Sequence, residues 1–455
     1  MLKNEKITIA GGGLVGALLA LLLGKRGFRV EVYESRVDMR KQDISAGRSI
    51  NLALADRGIR PLEMAEVMDS VKGFILPMIG RRVHEIGKDS ILQPYGQKSS
   101  EIVYSVSRAK LNKLLLDEAE KTGNVNFHFE HKISSLNLES KKILFENFNG
   151  DLDKNIEVTY ELLIGADGAG SIVRQELLKK VGTENKVEWL DHSYKELTIP
   201  PTEQGEFRID AKALHIWPRS DFMLIALPNP DFSFTVTLFM PTKGKISFDQ
   251  LKTKQSVRDF FAEHFPGLSD LIPDLENDFF KNPTGPLGTV KCFPWIYEDS
   301  VCLMGDSAHA IVPFHGQGMN CGFEDCGEFV TLLDKFESWQ DVLKSYQNAR
   351  KANGDAIAEL ALDNYVVMRA SVIDEKFLMK KKIGFELERK FPEKFIPRYS
   401  RVMFHHTPYA DTLEIGKIQD RILDDLYDKM QTTGTIDFDL ASSLIHERLH
   451  EYLST

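Results

Sequence analysis

The sequence predicts an α/β fold: a Rossmann-like domain, an inserted antiparallel β-sheet domain and a helical C-terminal part. Residues 6–35 have the pattern strand, turn, helix, strand, which is typical of the opening of a parallel sheet. Residues 221–241 contain two β-rich stretches joined by the turn-like sequence PNPD at 228–231, which predicts an antiparallel hairpin. From about residue 346 onward the pattern becomes helical and charged.

The chain is long enough to need more than one structural unit. A single hydrophobic core rarely serves 455 residues. We expect a discontinuous Rossmann-like domain, a β-sheet domain that interrupts it, and a C-terminal helical region. Their expected bounds are 1–73, 100–180 and 290–345 for the first, 74–99 and 181–289 for the second, and 346–455 for the third.

The composition excludes several classes of protein. With 42% apolar and 27% charged residues, the chain is typical neither of disordered proteins nor of membrane bundles. Its net charge of -10 disfavours nucleic acid as a partner, since nucleic-acid-binding proteins present a basic face. Cys292, Cys302, Cys321 and Cys326 form no C-x-x-C pair, so a disulfide scaffold is not expected and a reducing cytoplasm fits best.

One segment has features of a targeting signal. No charged residue lies between Lys6 and Lys25, as in a signal peptide, but glycines interrupt its centre and no small-residue cleavage pattern follows. The C-terminal residues alternate charged with apolar side chains and lack the roughly 20 apolar residues of a membrane span. We therefore expect a soluble, cytoplasmic protein without a membrane anchor.

The strongest motif is Gly11-x-Gly13-x-x-Gly16, which follows a predicted strand and opens a predicted helix. Gly11 would allow a tight turn, Gly13 would let the backbone approach a pyrophosphate, and Gly16 would permit close packing of helix on strand. The helix N-terminus would offer N–H groups to the phosphates, and Glu34, at the end of the second strand, would accept hydrogen bonds from a ribose. The alternative is a glycine-rich turn with Glu34 as a solvated strand end. The complete context favours dinucleotide binding.

Two Gly-Asp motifs decide between FAD and NAD. GADG at 165–168 and GD at 305–306 each follow a short apolar run that predicts a buried strand and a tight turn. In this order they resemble the motifs of flavin hydroxylases of the para-hydroxybenzoate hydroxylase type. The resemblance implies that Asp306 holds a ribityl hydroxyl of FAD and that Asp167 serves the pyrophosphate and nicotinamide side. Either motif alone could be a mere turn, but together with the fingerprint they indicate tight, non-covalent FAD.

The same resemblance assigns further residues to the cofactor. Ser107 is a plausible N-cap for a helix over 108–122, and Arg108 at its start resembles the family arginine near the FAD phosphates. Gly318 and Met319 suit a loop whose amides feed a helix N-terminus, which would stabilise negative charge on the reduced flavin. The remaining cofactor positions that the family pattern implies are Leu14, Arg36, Ala53 and Leu136.

A zinc site is the alternative for the histidines of this loop. His309 and His315 could join Asp306 as ligands, but their spacing fits no familiar zinc pattern. We expect loop histidines beside a flavin, and no metal.

Longer matches narrow the resemblance to one family. The run GRSINLAL at 47–54 resembles kynurenine 3-monooxygenases, and matches of this kind extend along nearly the whole chain. The others are LQPYG (92–96), YKEL (194–197), ALHIWP (213–218), FTVTLFMP (234–241), VPFHGQGMNCG (312–322), DNYVVM (363–368) and IPRYS (396–400). Several of these runs are long and unusual, so chance agreement is not expected. Some eukaryotic members of that family carry a C-terminal membrane anchor, which is not expected here.

Four positions match the residues that hold kynurenine in that family: Arg81, Tyr95, Asn364 and Tyr399. Arg81 can bind a carboxylate through two parallel hydrogen bonds, and Tyr95 can add a hydroxyl donor. Asn364 lies on an apolar helical stripe with Met368, a further expected contact, but it could equally be a satisfied interhelical hydrogen-bonding group. Arg81 judged alone would be a solvated surface arginine. The resemblance favours the substrate role for both.

Two more features indicate a pocket for an aromatic ring. Phe239 falls on the polar face of the predicted strand 232–239, so it could line a pocket or lie at a strand end under a loop. Pro313, Phe314 and His315 match the family's loop at the flavin, and the resemblance places them at the ring pocket.

The resemblance implies an aromatic hydroxylase that converts L-kynurenine to 3-hydroxykynurenine. NADPH would reduce FAD, O₂ would add at flavin C4a, and the hydroperoxide would attack the carbon ortho to the aniline nitrogen. The protein would then need only to orient the substrate and exclude water. The sequence contains no second dinucleotide fingerprint, which agrees with transient binding of NADPH.

Three alternatives share some of these motifs. A flavin-dependent reductase such as a geranylgeranyl reductase would carry them, but the polar set Arg81, Tyr95 and Asn364 does not suit a long lipid. A binding protein that has lost its flavin, like the Rab GDP-dissociation inhibitors, would not need the Gly-Asp motifs. A hydroxylase of another small aromatic compound would differ only in its substrate residues.

Overall fold

The computed structural model of the chain describes residues 5–41, 51–147 and 155–453. Residues 47–50 of the GRSINLAL run therefore lie outside the described residues. The chain divides into two compact units, each drawn from three stretches. Unit 1 comprises Met1–Leu76, Ser105–Leu190 and Leu287–Ala358, and unit 2 comprises Pro77–Tyr104, Asp191–Pro286 and Glu359–Thr455.

The strands of the described residues are numbered in chain order. They are β1 (Lys6–Ala10), β2 (Arg29–Tyr33), β3 (Asn51–Leu54), β4 (Ile75–Met78), β5 (Gly80–Val83), β6 (Ile91–Pro94), β7 (Val103–Ser107), β8 (Val125–His128), β9 (His131–Asn137), β10 (Lys142–Asn147), β11 (Ile156–Thr159), β12 (Leu162–Gly165), β13 (Glu184–Ile199), β14 (Leu214–Arg219), β15 (Phe222–Pro228), β16 (Phe234–Pro241), β17 (Thr284–Phe293), β18 (Ile296–Tyr297) and β19 (Val301–Leu303).

The α-helices are numbered in the same way. They are α1 (Leu14–Lys25), α2 (Asp56–Met64), α3 (Met68–Lys72), α4 (Arg108–Lys121), α5 (Ile172–Val181), α6 (Lys254–His264), α7 (Leu268–Leu271), α8 (Leu275–Lys281), α9 (Asp306–His309), α10 (Gly318–Leu333), α11 (Trp339–Arg369), α12 (Glu375–Lys390), α13 (Arg398–Phe404), α14 (Tyr409–Thr433) and α15 (Phe438–Leu453).

A six-stranded sheet forms the centre of unit 1, in the order β18-β19-β12-β1-β2-β8. The strands from β19 to β8 pair in parallel, and β18 at the edge is antiparallel to β19. In a parallel sheet the carboxyl ends of neighbouring strands meet at the same edge, where ligands bind. The predicted Rossmann-like sheet, with its strand–helix–strand opening, is confirmed.

The uncharged segment 6–25 belongs to the core of this unit. It forms β1 and α1, and the residues of α1 from Ala17 to Gly24 are all buried. A helix that is apolar on every side is typical of a position deep in a core. Burial therefore accounts for the lack of charge that made this segment resemble a targeting signal.

A second, seven-stranded sheet has the order β17-β13-β16-β15-β14-β5-β6, and its strands β16, β15, β14, β5 and β6 belong to unit 2. β15 and β16 form the predicted hairpin, antiparallel with Phe234 opposite Pro228. Phe234, Val236 and Leu238 point into a hydrophobic core that α6, α7 and α8 complete. Phe239 lies on the other face of the sheet, which we call the Phe239 face, as the alternation of the strand predicts.

The C-terminal helices have a core of their own. α12, α14 and α15 contribute Ile383, Leu387, Ile422 and Ile445 to it, each almost fully buried. This agrees with the predicted helical C-terminal part. Within the ranges that the structure describes, no helix is both long and apolar enough to cross a membrane.

Candidate functional site

Three motifs that lie far apart in the sequence meet at one edge of the unit 1 sheet. β1, β12 and β19 are neighbours, and Gly11, Ala166 and Gly305 lie just beyond their carboxyl ends. A Cβ atom on Gly11, which has φ +105°, would lie 2.3 Å from the carbonyl oxygen of Ala166. A Cβ atom on Gly305 would lie 3.0 Å from the side chain of Val15 in α1. Glycine is what allows the fingerprint, the GADG turn and the GD turn to approach so closely.

The fingerprint leaves an open cradle at the N-terminus of α1. Gly13 is the N-cap of the helix, Leu14 is its first residue, and a Cβ atom on Gly13 would meet no atom within 4 Å. Gly16 has no such free space, since a Cβ atom added there would lie 2.0 Å from the carbonyl oxygen of Gly11. An unobstructed backbone at a helix N-terminus is what a pyrophosphate requires. The loop therefore fits the diphosphate of a dinucleotide.

Glu34 supports this loop from the end of β2. Its Oε2 accepts a hydrogen bond from the N–H of Gly12 (2.8 Å), and its Oε1 accepts from the N–H and Nε of Arg36 (2.9 and 2.8 Å). Burial alone would raise the pKa of Glu34, but the hydrogen bonds and charge of Arg36 outweigh burial and hold that pKa below its usual value. An ionised acid is thus fixed beside the cradle, with the Arg36 side chain 65% exposed next to it.

Asp306 and Arg108 bring opposite charges to the same edge. Asp306 is the first residue of α9. Its side chain is accessible to solvent although many protein atoms surround it, so Asp306 lines a cleft. Burial raises the pKa of Asp306, and the positive charges of His309 and Arg108 oppose this rise. Arg108 begins α4, where Ser107 is the predicted N-cap and accepts a main-chain hydrogen bond of the first turn. A deep but accessible acid can accept hydrogen bonds from a polyhydroxyl chain.

Asp167 has both carboxylate oxygens engaged within the protein. Its Oδ1 accepts from the Ser307 hydroxyl (3.1 Å), and its Oδ2 accepts from the N–H groups of Ile172 (2.8 Å) and Val173 (3.3 Å) at the start of α5. The Ser307 hydroxyl oxygen accepts in turn from the N–H of Gly168 (2.9 Å). Asp167 therefore links the GADG turn to α5 and α9, and its expected contact with the cofactor stays a prediction.

Asn320, which sequence reasoning missed, fixes the loop before α10. Its Nδ2 donates to the carbonyl oxygens of Ala53 (2.8 Å) and Gly316 (2.7 Å), and its Oδ1 accepts from the N–H of Ala55 (2.9 Å). Gly316 has φ +66°, and a Cβ atom there would lie 2.9 Å from the Ala53 side chain. One amide side chain therefore joins the predicted cofactor residue Ala53 to the predicted flavin loop.

The residues of that loop lie where a helix begins. Pro313–His315 form a short 3-10 turn in which Phe314 and His315 are buried. Gly318 is the first residue of α10 and Met319 is the second, so both lie in the first turn of the helix and not in the loop before it, and their contact with the flavin stays a prediction. Leu136 is the last of the expected cofactor residues, and its contact with the cofactor stays a prediction. It is buried on β9, opposite Ile143 of β10, in a separate three-stranded sheet.

A buried network of charges lies behind the GD turn, and no sequence pattern predicts it. The Oδ2 of Asp325 in α10 accepts from His309 Nε2 (2.6 Å) and from the N–H of Gly305 (3.1 Å), while its Oδ1 accepts from Arg350 Nε (2.6 Å). Arg350 also pairs with Glu324 (2.7 Å). Burial would lower the pKa of His309, but the Asp325 carboxylate outweighs burial and raises it well above its usual value.

The same network bears on the zinc alternative. Among the described residues, the metal-ligating side chains that come together are His309, Cys321 and Asp325, whose ligand atoms lie within 4.8 Å of one another. Arg350 donates to Asp325 Oδ1 (2.6 Å) and to Cys321 Sγ (3.3 Å). A guanidinium already neutralises the acid of this group, so the geometry favours an ion-pair network over a metal site.

The four residues expected to hold the substrate meet in unit 2, around Arg81. Its guanidinium lies 4.7 Å from the ring centroid of Tyr399 and 5.9 Å from that of Tyr95. The two tyrosine rings stack with centroids 5.5 Å apart. Arg81 Nη2 donates a long hydrogen bond of 3.4 Å to Asn364 Oδ1. We call these four residues the Arg81 cluster.

Arg81 is a buried charge, 9% exposed. Among the described residues, no carboxylate lies at ion-pair distance from its guanidinium, which lies beside the two tyrosine rings and the Asn364 amide. Burial raises the pKa of Tyr95 and of Tyr399, and the charge of Arg81 only partly opposes this, so both hydroxyls stay protonated and can donate. A buried guanidinium among neutral donors is suited to an anion that a ligand brings.

Arg81 and Phe239 share one face of the sheet. Arg81 on β5 pairs with Leu214 on β14, and the register through β15 to β16 places Phe239 on the same side. Phe239 is 3% exposed, and so is Met368, one helical turn beyond Asn364 in α11. The Phe239 face therefore carries both Arg81, the cation of the cluster, and the aromatic ring of Phe239.

These features define a class of protein. Unit 1 has the cradle, the deep acid and the arginine of a flavin-binding domain, and unit 2 has a buried cationic site. A family model described as "FAD binding domain" matches residues 4–361. The protein is thus an FAD-binding flavoprotein.

Comparison with related proteins identifies the family within this class. A kynurenine 3-monooxygenase of Flavobacterium johnsoniae is 45% identical over 428 residues, which cover 94% of each chain. The kynurenine 3-monooxygenase of Myxococcus xanthus is 40% identical, and the match covers 99% of this chain and 97% of the relative. That of Dictyostelium discoideum is 42% identical, and the match covers 99% of this chain and 100% of the relative. The chain belongs to the kynurenine 3-monooxygenase family.

Solved structures agree on the fold. A tetrameric 2-methyl-3-hydroxypyridine-5-carboxylic acid oxygenase superposes with a TM-score of 0.65 at 18% identity, over 80% of this chain and 93% of the other. The p-nitrophenol 4-monooxygenase of Pseudomonas putida gives a TM-score of 0.65 at 16% identity, over 85% and 95%. At these identities the likeness concerns the fold alone.

Proposed function

We propose that this protein is an FAD-dependent monooxygenase that uses NADPH and O₂ to convert L-kynurenine to 3-hydroxykynurenine. Membership of the family supports the reaction. One observation carries the choice of substrate: the buried Arg81, which has no acidic partner among the described residues and is enclosed by Tyr95, Tyr399 and Asn364.

The chemistry of L-kynurenine matches the Arg81 cluster group by group. Arg81 binds the α-carboxylate through two parallel hydrogen bonds, which planar guanidinium and carboxylate groups favour. Tyr95 and Tyr399 add hydroxyl donors, and Asn364 adds an amide that can meet the polar groups near the α-carbon. The carboxylate also supplies the negative charge that the buried guanidinium lacks, which removes the cost of an unpaired charge.

Buried apolar side chains hold the other end of the substrate. Phe239 and Met368 offer buried apolar surface to the aniline ring. Fixing the carboxylate at one end and the ring at the other selects the carbon that is presented for reaction. The aniline nitrogen donates electron density to its ortho carbon, so the protein need not supply a strong base. Its contribution is orientation and the exclusion of water.

FAD supplies the redox chemistry: reduced by NADPH, it activates O₂ for transfer to the ring. Within unit 1, the N–H groups of the cradle would bind the pyrophosphate, Glu34 the ribose, and Asp306 a ribityl hydroxyl. The N-terminus of α10 would stabilise negative charge on the reduced flavin ring. The other residues proposed for contacts with FAD or the ring pocket are Leu14, Arg36, Ala53, Arg108, Leu136, Asp167, Pro313, Phe314, His315, Gly318 and Met319.

The state of the cysteines supports a reducing compartment, and we place the protein in the cytoplasm. All four cysteines are buried and form no disulfide. Burial raises the pKa of the Cys292 thiol to about 11 and raises that of Cys326 as well, which keeps both protonated and unreactive.

The experiment that tests this function measures NADPH oxidation in air with and without L-kynurenine, with the products identified by mass and chromatography. We expect L-kynurenine to stimulate oxidation and 3-hydroxykynurenine to accumulate. Anthranilate, an aromatic acid without the amino-acid side chain, serves as the comparison. No stimulation by L-kynurenine, or stronger stimulation by anthranilate with a hydroxylated product, would overturn the proposal.

A further inference from the structure

Helix α12 lies along the chain segment that carries Tyr95. Gln93 Nε2 donates to the carbonyl oxygen of Val372, which lies just before the helix (2.9 Å). Gln97 Nε2 donates to the carbonyl oxygen of Phe385, which lies within the helix (3.0 Å). Between these two bonds, Lys381 Nζ donates to the carbonyl oxygen of Pro94 (3.2 Å). Lys381 is therefore held at the residue that directly precedes Tyr95.

The register of the sheet brings this amine close to Arg81. Pro94 on β6 pairs with Gly80 on β5, and Gln93 pairs with Arg81 itself. Lys381 is partly buried, and no carboxylate among the described residues lies at ion-pair distance from it. Burial and then the nearby charge of Arg81 lower the pKa of Lys381 to about 8. Two cations thus lie near enough for the charge of one to act on the other, and among the described residues neither has a carboxylate at ion-pair distance.

Other lysines of the same helix show what an ordinary position looks like. Lys376 and Lys380 pair with Asp424 at 3.1 and 3.0 Å. Lys382 is exposed, as expected for a solvated face. Lys381 differs because its nearby charged group is another cation, Arg81. A bound anion would offset the repulsion between these two positive charges.

We propose that Lys381 is a second substrate-binding cation, which holds the carboxylate of the amino-acid substrate together with Arg81. The Nζ atom has three donors, of which the Pro94 carbonyl takes one, so two can reach an anion. This inference rests on the proposed function, because it names a further residue for the same substrate. It also states the substrate class: aromatic amino acids whose carboxylate is free, in preference to the corresponding amines.

A purely structural role for Lys381 makes a different prediction. If the amine served only to anchor α12 to Pro94, its loss would weaken the binding of every ligand of the cluster alike. A cation that binds the carboxylate affects only ligands that possess one. The decarboxylated amine of kynurenine, in which hydrogen replaces the carboxylate, separates the two roles.

The test compares Lys381→Met with Lys381→Arg and with Lys382→Met, all in the FAD-loaded enzyme. Dissociation constants for L-kynurenine and for its decarboxylated amine are measured by calorimetry, and kcat and KM by product formation. We expect Lys381→Met to raise the Kd and KM of L-kynurenine about tenfold, the cost of one charge-assisted hydrogen bond, with kcat within about threefold. Lys381→Arg should recover most of the affinity, and Lys382→Met should match the parent.

The decarboxylated amine of kynurenine distinguishes a binding role of Lys381 from a structural one. Its Kd should be the same for the parent and for Lys381→Met within about twofold. Equal losses for both ligands, or an unchanged Kd for L-kynurenine, would overturn the role of Lys381 while the parent still hydroxylates L-kynurenine. A parent enzyme that neither binds nor hydroxylates L-kynurenine would overturn the proposed function, and this inference with it.

Discussion

The carboxylate of Asp325 accepts a hydrogen bond from the main-chain N–H of Gly305, at 3.1 Å, from the interior of α10. The same oxygen accepts from His309, which ends the short helix that Asp306 begins. The turn that carries the deep acid is therefore held from both sides by one buried aspartate. The position of Asp306 depends on a residue that itself has no expected contact with FAD.

Replacing Asp325 by Asn should destabilise the protein and weaken FAD retention together. The change removes a fully buried negative charge and leaves His309 and Arg350 without their shared partner, which costs roughly 3–5 kcal/mol in unfolding free energy. Thermal unfolding and the FAD content of the purified protein measure the two effects. Asp334→Asn, which alters an exposed ion pair with Arg26, is the matched control and should change neither. An Asp325→Asn variant that unfolds and binds FAD like the parent would show that the network is dispensable.

Gly13→Ala should separate folding from cofactor binding. A methyl group there meets no protein atom within 4 Å, and the backbone angles (φ -70°, ψ -174°) are open to any residue, so the flavin-free variant should unfold within about 1 kcal/mol of the flavin-free parent. The methyl group does occupy the cradle, and FAD affinity should fall at least tenfold. Denaturant unfolding and flavin titration give the two numbers. Gly170→Ala, also in open space and without a positive φ, should keep both properties. Unchanged FAD affinity in Gly13→Ala would place the pyrophosphate elsewhere.

Arg81→Ala should abolish kynurenine turnover while leaving the flavin in place. Loss of a buried cation that pairs with the substrate carboxylate costs roughly 3–5 kcal/mol, a factor of about 10² to 10⁴ in kcat/KM. Arg82→Ala is the matched control, because Arg82 points to the opposite face of the same strand and pairs with Asp210 (2.7 Å) at a partly exposed position. Its effect should stay below tenfold. Steady-state kinetics and the visible spectrum measure both variants, and an Arg81→Ala enzyme within threefold of the parent would remove Arg81 from the substrate site.

Local sequence patterns predict some elements of this structure, whereas contacts between distant elements leave no such pattern. The fingerprint glycines, Ser107 and the hairpin over 221–241 depend on local chemistry, so their patterns predict the observed structure. Phe239 was assigned to the correct face because a strand alternates with a fixed period. Asp325 and Asn320 were missed because each lies within a helix whose pattern shows no partner, and their partners come from other elements.

The Arg81 cluster shows a second limit of sequence reasoning. Arg81 and Asn364 are 283 positions apart, and nothing local indicates that they meet. Only the family resemblance brought them together in the prediction. Lys381 lies in a run of three lysines, and the rotation of α12 against the 93–97 segment is what distinguishes it from its neighbours.

The binding of L-kynurenine should weaken as the pH rises through about 8. The pKa of Lys381 in the free protein is lowered to about 8, so the amine is charged below that pH and loses its charge above it. A bound carboxylate favours the charged form, so affinity is full below pH 8 and declines above it. Tyr95 and Tyr399, the other titratable groups of the cluster, have raised pKa values and remain protonated in this range.

The measurement for this prediction is the Kd of L-kynurenine between pH 6.5 and 9.5 in the parent and in Lys381→Met. Titration of the substrate itself is common to both proteins and cancels in the ratio of the two constants. The ratio should be about tenfold at low pH and approach one at high pH. A ratio that does not change with pH would show that the charge of Lys381 plays no part in binding.

The origin of the oxygen atom in the product tests the proposed hydroxylation. Purified, FAD-loaded protein is supplied with NADPH, L-kynurenine and ¹⁸O₂ in unlabelled water, and the product is analysed by mass spectrometry alongside NADPH consumption. We expect 3-hydroxykynurenine that carries one ¹⁸O in its new hydroxyl group, formed in near equal amount to the NADPH consumed. Unlabelled product, hydroxylation at another carbon, or NADPH oxidation that yields only hydrogen peroxide would contradict it.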